Sequence, residues 1–342
     1  MQISLRYARR RTDCRRCGVR VEAVPWAPAG SRFTYAFEDT VGYLAQRADK
    51  TTVSSLLRVA WRTVGRILER VVARHGNPDR LDGLVCIGVD EISYRRHHKY
   101  LTVVVDHDRG QIVWAKPGKN TDTLVAFFDE MGPERCAKLE TVTMDMSAAY
   151  QRAVTDKARN ATIVFDRFHV QKLAHDALDA VRRAEVRLVD DPTERRALKK
   201  TRWPLLKSPW NLQRFELDKL AQLQRHNKRI YRAYLLKESL CRILDRRQVN
   251  VARRKLDEWF AWAVRSRLAP FRKLAHTIRD HTDGILAYVR SGLSNGPTEA
   301  LNGKIRTITR RSYGFHGPAA LIALVLLCCG GIRLAPVFAY PP

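Results

Sequence analysis

Three short apolar runs, each closed by an aspartate, constrain this chain more than any other feature. They are LVCIGVD ending at Asp90, TVTMD ending at Asp145 and TIVFD ending at Asp166. Runs of this length, rich in valine and isoleucine, read as strands buried under helices. The runs KYLTVVVDH (99–107) and QIVWAKP (111–117) follow the first after short polar links, as antiparallel hairpins do. Thr121 to Met131 has the spacing of an amphipathic helix, a helical stretch opens after Asp145, and another helix begins near His169.

Three strands, a helix, a strand, a helix and a strand is the element order of the RNase H fold, an α/β architecture. It predicts a mixed five-stranded sheet flanked by helices. In that topology the strands ending at Asp90 and Asp145 are parallel neighbours at the sheet centre, so both carboxylates meet. Two carboxylates that close repel each other unless a cation lies between them. Two Mg²⁺ or Mn²⁺ ions held by such a pair clamp the attacking and leaving oxygens of a phosphoryl transfer. Hard oxygen ligands favour these ions over zinc.

A third ligand is expected at Glu299. In Ser294-Asn295-Gly296-Pro297-Thr298-Glu299 the proline suits the start of a helix, which puts the glutamate in its first turn, where the helix dipole favours the ionised form. Asn302, Arg306 and Arg310 recur on one face of that helix, with Lys304 and Arg311 beside them, all suited to reaching phosphates. The plainer alternative is a helix-stabilising surface acid. Asp166 and His169 fall at a strand-to-helix turn beside the proposed metals, where His169 would hold a phosphate or relay a proton. A capping aspartate with a satisfied histidine is the plainer alternative there. Glu91 alternates to the opposite strand face, and Asp106 and Asp108 flank a turn, so all three are set aside.

The flanking regions point to a polyanion. Lys and Arg number 62 against 35 Asp and Glu, a net charge of +27. A charge that large is usually neutralised by nucleic acid. From Arg195 to Asp280 there are 24 Lys or Arg and 7 Asp or Glu, so 17 of the 27 excess charges lie there. That stretch is helical throughout, and its Trp203, Trp210, Trp259 and Trp262 are expected mostly in a helical core, with base stacking as the alternative. Between Phe37 and His75 three short helices with a tight turn suggest helix-turn-helix, with Thr51 or Thr52 capping the second. Arg62, Arg66 and Arg70 fall on one face of the third and are the expected DNA contacts, against the alternative of a module that only packs.

Cys14-Arg-Arg-Cys17 is half of a tetrahedral zinc site, but no second pair follows at finger-like spacing, which leaves two free thiols as the alternative. Seven cysteines are no disulfide framework, and the N-terminus has no apolar signal, so a cytoplasmic place is expected. The apolar run Pro318 to Gly331 falls short of the roughly 20 residues that span a bilayer and reads as a buried helix.

The expected organisation is a basic segment with the partial CxxC element (1–35), a helix-turn-helix (36–78) and the first part of the core (79–190). A basic helical insertion (191–285) and the C-terminal part of the core with the final glutamate (286–342) follow.

The segments IGVDEIS, TMDMSAAY, FDRFHV and SNGPTEALNGKIRTITRRSYGF, in this order, resemble bacterial insertion-sequence transposases of the ISL3 type. The resemblance covers almost the whole chain, including the CRRCG…VPWA start. It implies a DDE domain with an RNase H-like core interrupted by a helical insertion, and carries Asp90, Asp145 and Glu299 over as the metal-binding triad. Asp166 and His169 match a (C/D)xxH element. It implies double-stranded DNA as partner (terminal inverted repeats and target), a homodimer or higher assembly on that DNA, and residence at the nucleoid. It also implies upstream cysteines completing a zinc element with Cys14 and Cys17, so this chain begins late and is expected to be truncated. Three rivals stand against it. One is a non-catalytic helix-turn-helix protein derived from a truncated transposase. Another is a glycosidase using Asp90 and Asp145 as acid and base, and the last is a nuclease that cuts without joining.

Overall fold

The computed structural model describes residues 7–29, 31–95, 99–312 and 317–335. The end of the SNGPTEALNGKIRTITRRSYGF motif, from Tyr313, and residues 336–342 lie outside the described residues.

The expected mixed five-stranded sheet is formed by strands β3 (Cys86–Arg95), β4 (Lys99–Asp106), β5 (Gln111–Pro117), β6 (Thr141–Met144) and β7 (Thr162–Phe165), in the order β5-β4-β3-β6-β7. Strand β3 pairs antiparallel with β4 and parallel with β6, and β6 pairs parallel with β7. The apolar residues Ile87, Val89, Val142 and Met144 are wholly buried, which is why these runs lack a polar alternation. Gly88 is in register with Thr143. Asp90 and Asp145 each stand two residues further along, on the same face as that pair.

Two compact units emerge from the packing. One holds residues 1–80, 111–116 and 301–342, the other 81–110 and 117–300.

In the first unit a hairpin of β1 (Arg11–Cys14) and β2 (Gly18–Val21) precedes α1 (Tyr35–Ala45), α2 (Lys50–Leu57) and α3 (Trp61–His75). The turn between α2 and α3 is made by Arg58 in the left-handed region, φ 53°. The cap of α2 is Asp49, whose carboxylate accepts from the Thr51 and Thr52 amides. The expected threonine caps are therefore corrected: they are the capped residues, because Asp49 stands one turn earlier. Helix α3 buries Val64, Ile67, Leu68 and Val71, and packs against α16 (Pro318–Cys329), the buried apolar helix expected near the C-terminus.

In the second unit the sheet is flanked by α4 (Thr121–Met131), α5 (Pro133–Cys136), α6 (Ala148–Lys157) and α7 (Arg167–Leu188). The basic stretch forms α8 (Pro192–Lys199), α9 (Arg202–Leu206), α10 (Arg214–His226), α11 (Lys228–Leu244), α12 (Val249–Arg265) and α13 (Ala269–Asp280). Helices α11 and α13 pack on α7. Then α14 (Thr282–Ser291) packs on β7, and α15 (Gly296–Arg311) carries Glu299 in its first turn. Of the four tryptophans expected mostly in this core, only Trp259 is buried, donating its indole N–H to the Leu236 carbonyl at 2.9 Å. Trp203 and Trp210 are 65% and 71% exposed and Trp262 lies at the surface, so that expectation is corrected. Trp203 sits in a helix of only five residues and Trp210 in a single 3₁₀ turn, too short to present an inward stripe.

Candidate active site

The strand expected to end at Asp90 is corrected: β3 runs on to Arg95, because its pairing with β4 continues past Asp90. Asp90 lies midway along it, where burial pushes the carboxyl up to about 6. The Glu91 amide, which donates to Asp90 Oδ1 at 2.7 Å, and His169 oppose that shift, while Asp145 and Glu91 add to it. Asp145 follows β6 directly and accepts from the Ser147 amide at 3.0 Å, opening α6. The two aspartates thus come within electrostatic reach, as register and alternation require. A carboxylate held back by burial and by a like charge is suited to a divalent cation, which relieves both effects.

Asp166 is completely buried at the start of α7. Its Oδ2 meets His169 Nδ1 at 3.0 Å and its Oδ1 accepts from the Asn295 amide at 3.4 Å. That hydrogen bond raises the His169 pKa against the effect of burial, and Asp145 and Asp90 add to the rise. Both Asp166 oxygens are engaged with the protein, so its place is behind His169.

The first turn of α15 is pinned to the same sheet face. Thr143 donates to the Asn295 side-chain oxygen at 2.9 Å and also meets His107 Nε2 at 2.8 Å. Thr298, Asn295 and His107 crowd Gly88 so closely that a β-carbon there would overlap the Thr298 hydroxyl. Glu299 is one residue beyond Thr298, and its amide bonds back to the Asn295 carbonyl at 2.8 Å. Its side chain is exposed. Among the described residues, no three acidic, histidine or cysteine side chains are gathered closely enough to cage a metal. Asp90, Asp145 and His169 thus lie within electrostatic reach of one another without forming a cluster, and the turn bearing Glu299 is set on the same sheet face.

Glu91, set aside on alternation, lies next to Asp90 on β3. Burial raises its pKa, and Asp145 and His169 both act on it. Gly88 was missed by sequence reasoning; its signal was a glycine inside an apolar strand run, a mark of close approach. Asp106, by contrast, accepts from the Asp108 and Arg109 amides and closes a turn, as read from the sequence.

Of the proposed DNA contacts, Arg62 and Arg66 are exposed on α3. Arg70 is held internally, 2.6 Å from the fully buried Glu38, which also takes Arg74. Each four-residue step along a helix turns about 40° further round, so two steps from Arg62 bring Arg70 towards α1. Arg306 and Arg310 are exposed. Lys304 donates to the Cys328 carbonyl at 2.7 Å, and Arg311 to the Ala45 and Arg47 carbonyls. Asn302 is buried.

Cys14 ends β1, and the turn to β2 bonds the Cys17 amide to the Cys14 carbonyl at 3.2 Å, with Gly18 at φ 70°. Donors from Arg16 and Cys17 lower the Cys14 thiol pKa. The pair fits one half of a tetrahedral zinc site, and no further ligands are gathered around it among the described residues. No helix among the described residues is long and apolar enough to cross a membrane.

Comparison with known proteins converges on one family. A family profile described as transposase, of the ISL3 DDE type, matches residues 87–325, and a second, described as the helix-turn-helix domain of transposase family ISL3, matches residues 22–72. The transposase for insertion sequence element IS1557 of Mycobacterium tuberculosis (strain ATCC 25618 / H37Rv) is 42% identical over 346 residues, covering 94% of this chain and 78% of the relative. The transposase for insertion sequence element IS1001 of Bordetella parapertussis is 30% identical over 319 residues, covering 92% and 78%. Nothing in these matches favours the non-catalytic reading. With its acid-tipped mixed sheet and its helix-turn-helix, the chain belongs to the ISL3 family of insertion-sequence transposases, DNA-binding enzymes of the DDE type that cut and transfer DNA strands.

Proposed function

We propose that Asp90, Asp145 and Glu299 together hold two Mg²⁺ or Mn²⁺ ions and that this site cuts the ends of an insertion sequence and joins them to target DNA. The observation that carries the reading is the placement of Asp90 on β3 and of Asp145 just past β6, parallel neighbours, each two residues beyond the paired Gly88 and Thr143, with burial resisting the charge of Asp90. When bound, the metal pair supplies Lewis-acid polarisation of the scissile phosphate and of the attacking water or 3′-hydroxyl. His169, oriented by Asp166, is suited to hold a phosphate oxygen or pass a proton. No covalent link between enzyme and DNA is needed, so no serine or tyrosine nucleophile takes part.

Arg62 and Arg66 on α3 read or grip the terminal inverted repeats, with Arg306 and Arg310 on backbone phosphates. The basic helices α8–α13 hold flanking DNA, and the exposed Trp203, with Arg202 over its ring, and Trp210 give that surface faces on which bases stack. Cys14 and Cys17 form half of a zinc knuckle. Pairing two ends calls for at least a dimer, working on the nucleoid in the cytoplasm. The test is Asp90→Asn: cleavage and joining of terminal-repeat DNA in Mg²⁺ disappear while DNA binding stays. Strand transfer persisting in that variant overturns the assignment.

A further inference from the structure

Asn295, Thr143 and Asp166, outside the proposed ligand set, tie the carboxyl end of the sheet to the segment that delivers Glu299. Asn295 makes three contacts here, one by its side chain and two by its backbone. Its side-chain oxygen accepts from Thr143 on β6, two residues before Asp145. Its amide donates to Asp166, the residue that orients His169. Its carbonyl accepts the Glu299 amide, closing the first turn of α15. One buried residue therefore touches the supports of three separate site elements, each from a different part of the chain.

The packing around it has no slack. Asn295 and Thr298 are both wholly buried, and the missing side chain of Gly88 is the space they occupy. Gly88 is in register with Thr143, so the contact spans the two strands whose next outward residues are Asp90 and Asp145. The Asn295 Nδ2 and Thr298 Oγ1 atoms are buried without a hydrogen-bond partner among the described residues. Buried unpaired donors cost free energy and are kept chiefly where a function needs the residue. A hydrophobic side chain of similar size would pack there without that cost, but would not bond Thr143.

We propose that Asn295 is a positioning residue. By gripping β6 through Thr143 and the start of α7 through Asp166, it fixes the first turn of α15 and thereby sets where the Glu299 carboxylate stands relative to Asp90 and Asp145. The inference rests on the metal-site reading above. It gives the exposed Glu299 a defined anchor even though no closed cage is formed in the protein alone. Outer partners of this kind typically govern metal affinity by ten- to a hundredfold.

The test measures Mn²⁺ binding by electron paramagnetic resonance on the full chain, with circular dichroism and a DNA gel shift reporting that each variant is folded. Asn295→Ala weakens Mn²⁺ binding about tenfold or more, and its cleavage of terminal-repeat DNA recovers as Mn²⁺ is raised, which a merely unfolded or loosened chain does not do. Thr143→Val behaves in the same way, whereas Thr143→Ser, which keeps the hydroxyl, binds as the parent does. This pair keeps the question answerable if Asn295→Ala does not fold. Wild-type Mn²⁺ affinity in folded Asn295→Ala, or in folded Thr143→Val, overturns the proposal. Asp90→Asn in the same titration separates the two levels: if it too binds Mn²⁺ normally, the metal-site reading itself has failed, whereas loss in Asp90→Asn alone condemns only the role given to Asn295.

Discussion

The Thr298 hydroxyl occupies the space where a side chain at Gly88 would stand, so the first turn of α15 lies directly on the central strand of the sheet. This approach is possible because the strand offers bare backbone at that point, two residues before Asp90.

Gly88→Ala is expected to force that turn away or strain β3, at about 1–3 kcal/mol, the usual range for overpacking a filled interior. Urea unfolding reads the loss. Cleavage of terminal-repeat DNA should fall by more than the lost stability explains, because the displaced turn carries Glu299. An alanine variant as stable and as active as the parent would show that the turn is not seated there.

Asp90 sets a pH dependence. Its folded pKa of about 6 lies above the ordinary aspartate value. Without metal, the folded state binds a proton that the unfolded state has released. The contribution of this group to stability therefore falls as pH rises from about 4 to about 6. A divalent ion needs the ionised form. The rise in melting temperature produced by Mn²⁺ should accordingly grow from pH 5 to pH 7. Thermal melts with and without Mn²⁺ measure it, and a shift independent of pH would contradict the assignment.

His169 should titrate above the ordinary histidine value, chiefly because of Asp166. The stability this adds is fully present below the unfolded pKa and is lost as pH rises through the folded one. Asp166→Asn removes the negative partner and should lower the His169 pKa. Histidine NMR titration of the two proteins reads the change directly.

The three arginines of α3 should separate. Arg70→Ala leaves buried Glu38 with Arg74 as its charged partner and the Ser31 hydroxyl as a neutral one, and destabilises the protein by about 1–3 kcal/mol. Arg62→Ala and Arg66→Ala should leave melting unchanged but weaken DNA binding, each reducing the salt slope by about one. Melting curves and salt-dependent gel shifts distinguish the two groups.

Tryptophan truncations divide in the same way. Trp259→Ala removes a buried ring and its hydrogen bond to Leu236, at about 3–5 kcal/mol. Trp203→Ala and Trp210→Ala should change stability by less than about 0.5 kcal/mol and lower affinity for single-stranded DNA. Unchanged single-strand affinity in both would remove base stacking from the account of this surface.

The amino-acid order alone determined the presence of the five core strands, most helices and the acids that directly follow β6 and β7. Apolar periodicity and turn residues are properties of short stretches, which is why β5 and α4 begin and end where their local patterns do. Alternation also put Asp90 on its face of β3, and the proline of the SNGPTE motif put Glu299 in a first turn. Tertiary structure alone decided which side chains are used inward: Arg70 is captured by Glu38, Asp166 stands behind His169, and Trp203 and Trp210 remain at the surface. It also decided that Gly88 faces Thr298 and that Thr143 meets Asn295, residues 152 positions apart. Such pairings depend on strand register and on how far round a helix a residue has turned when another element packs against it. Neither is encoded in any local run of residues.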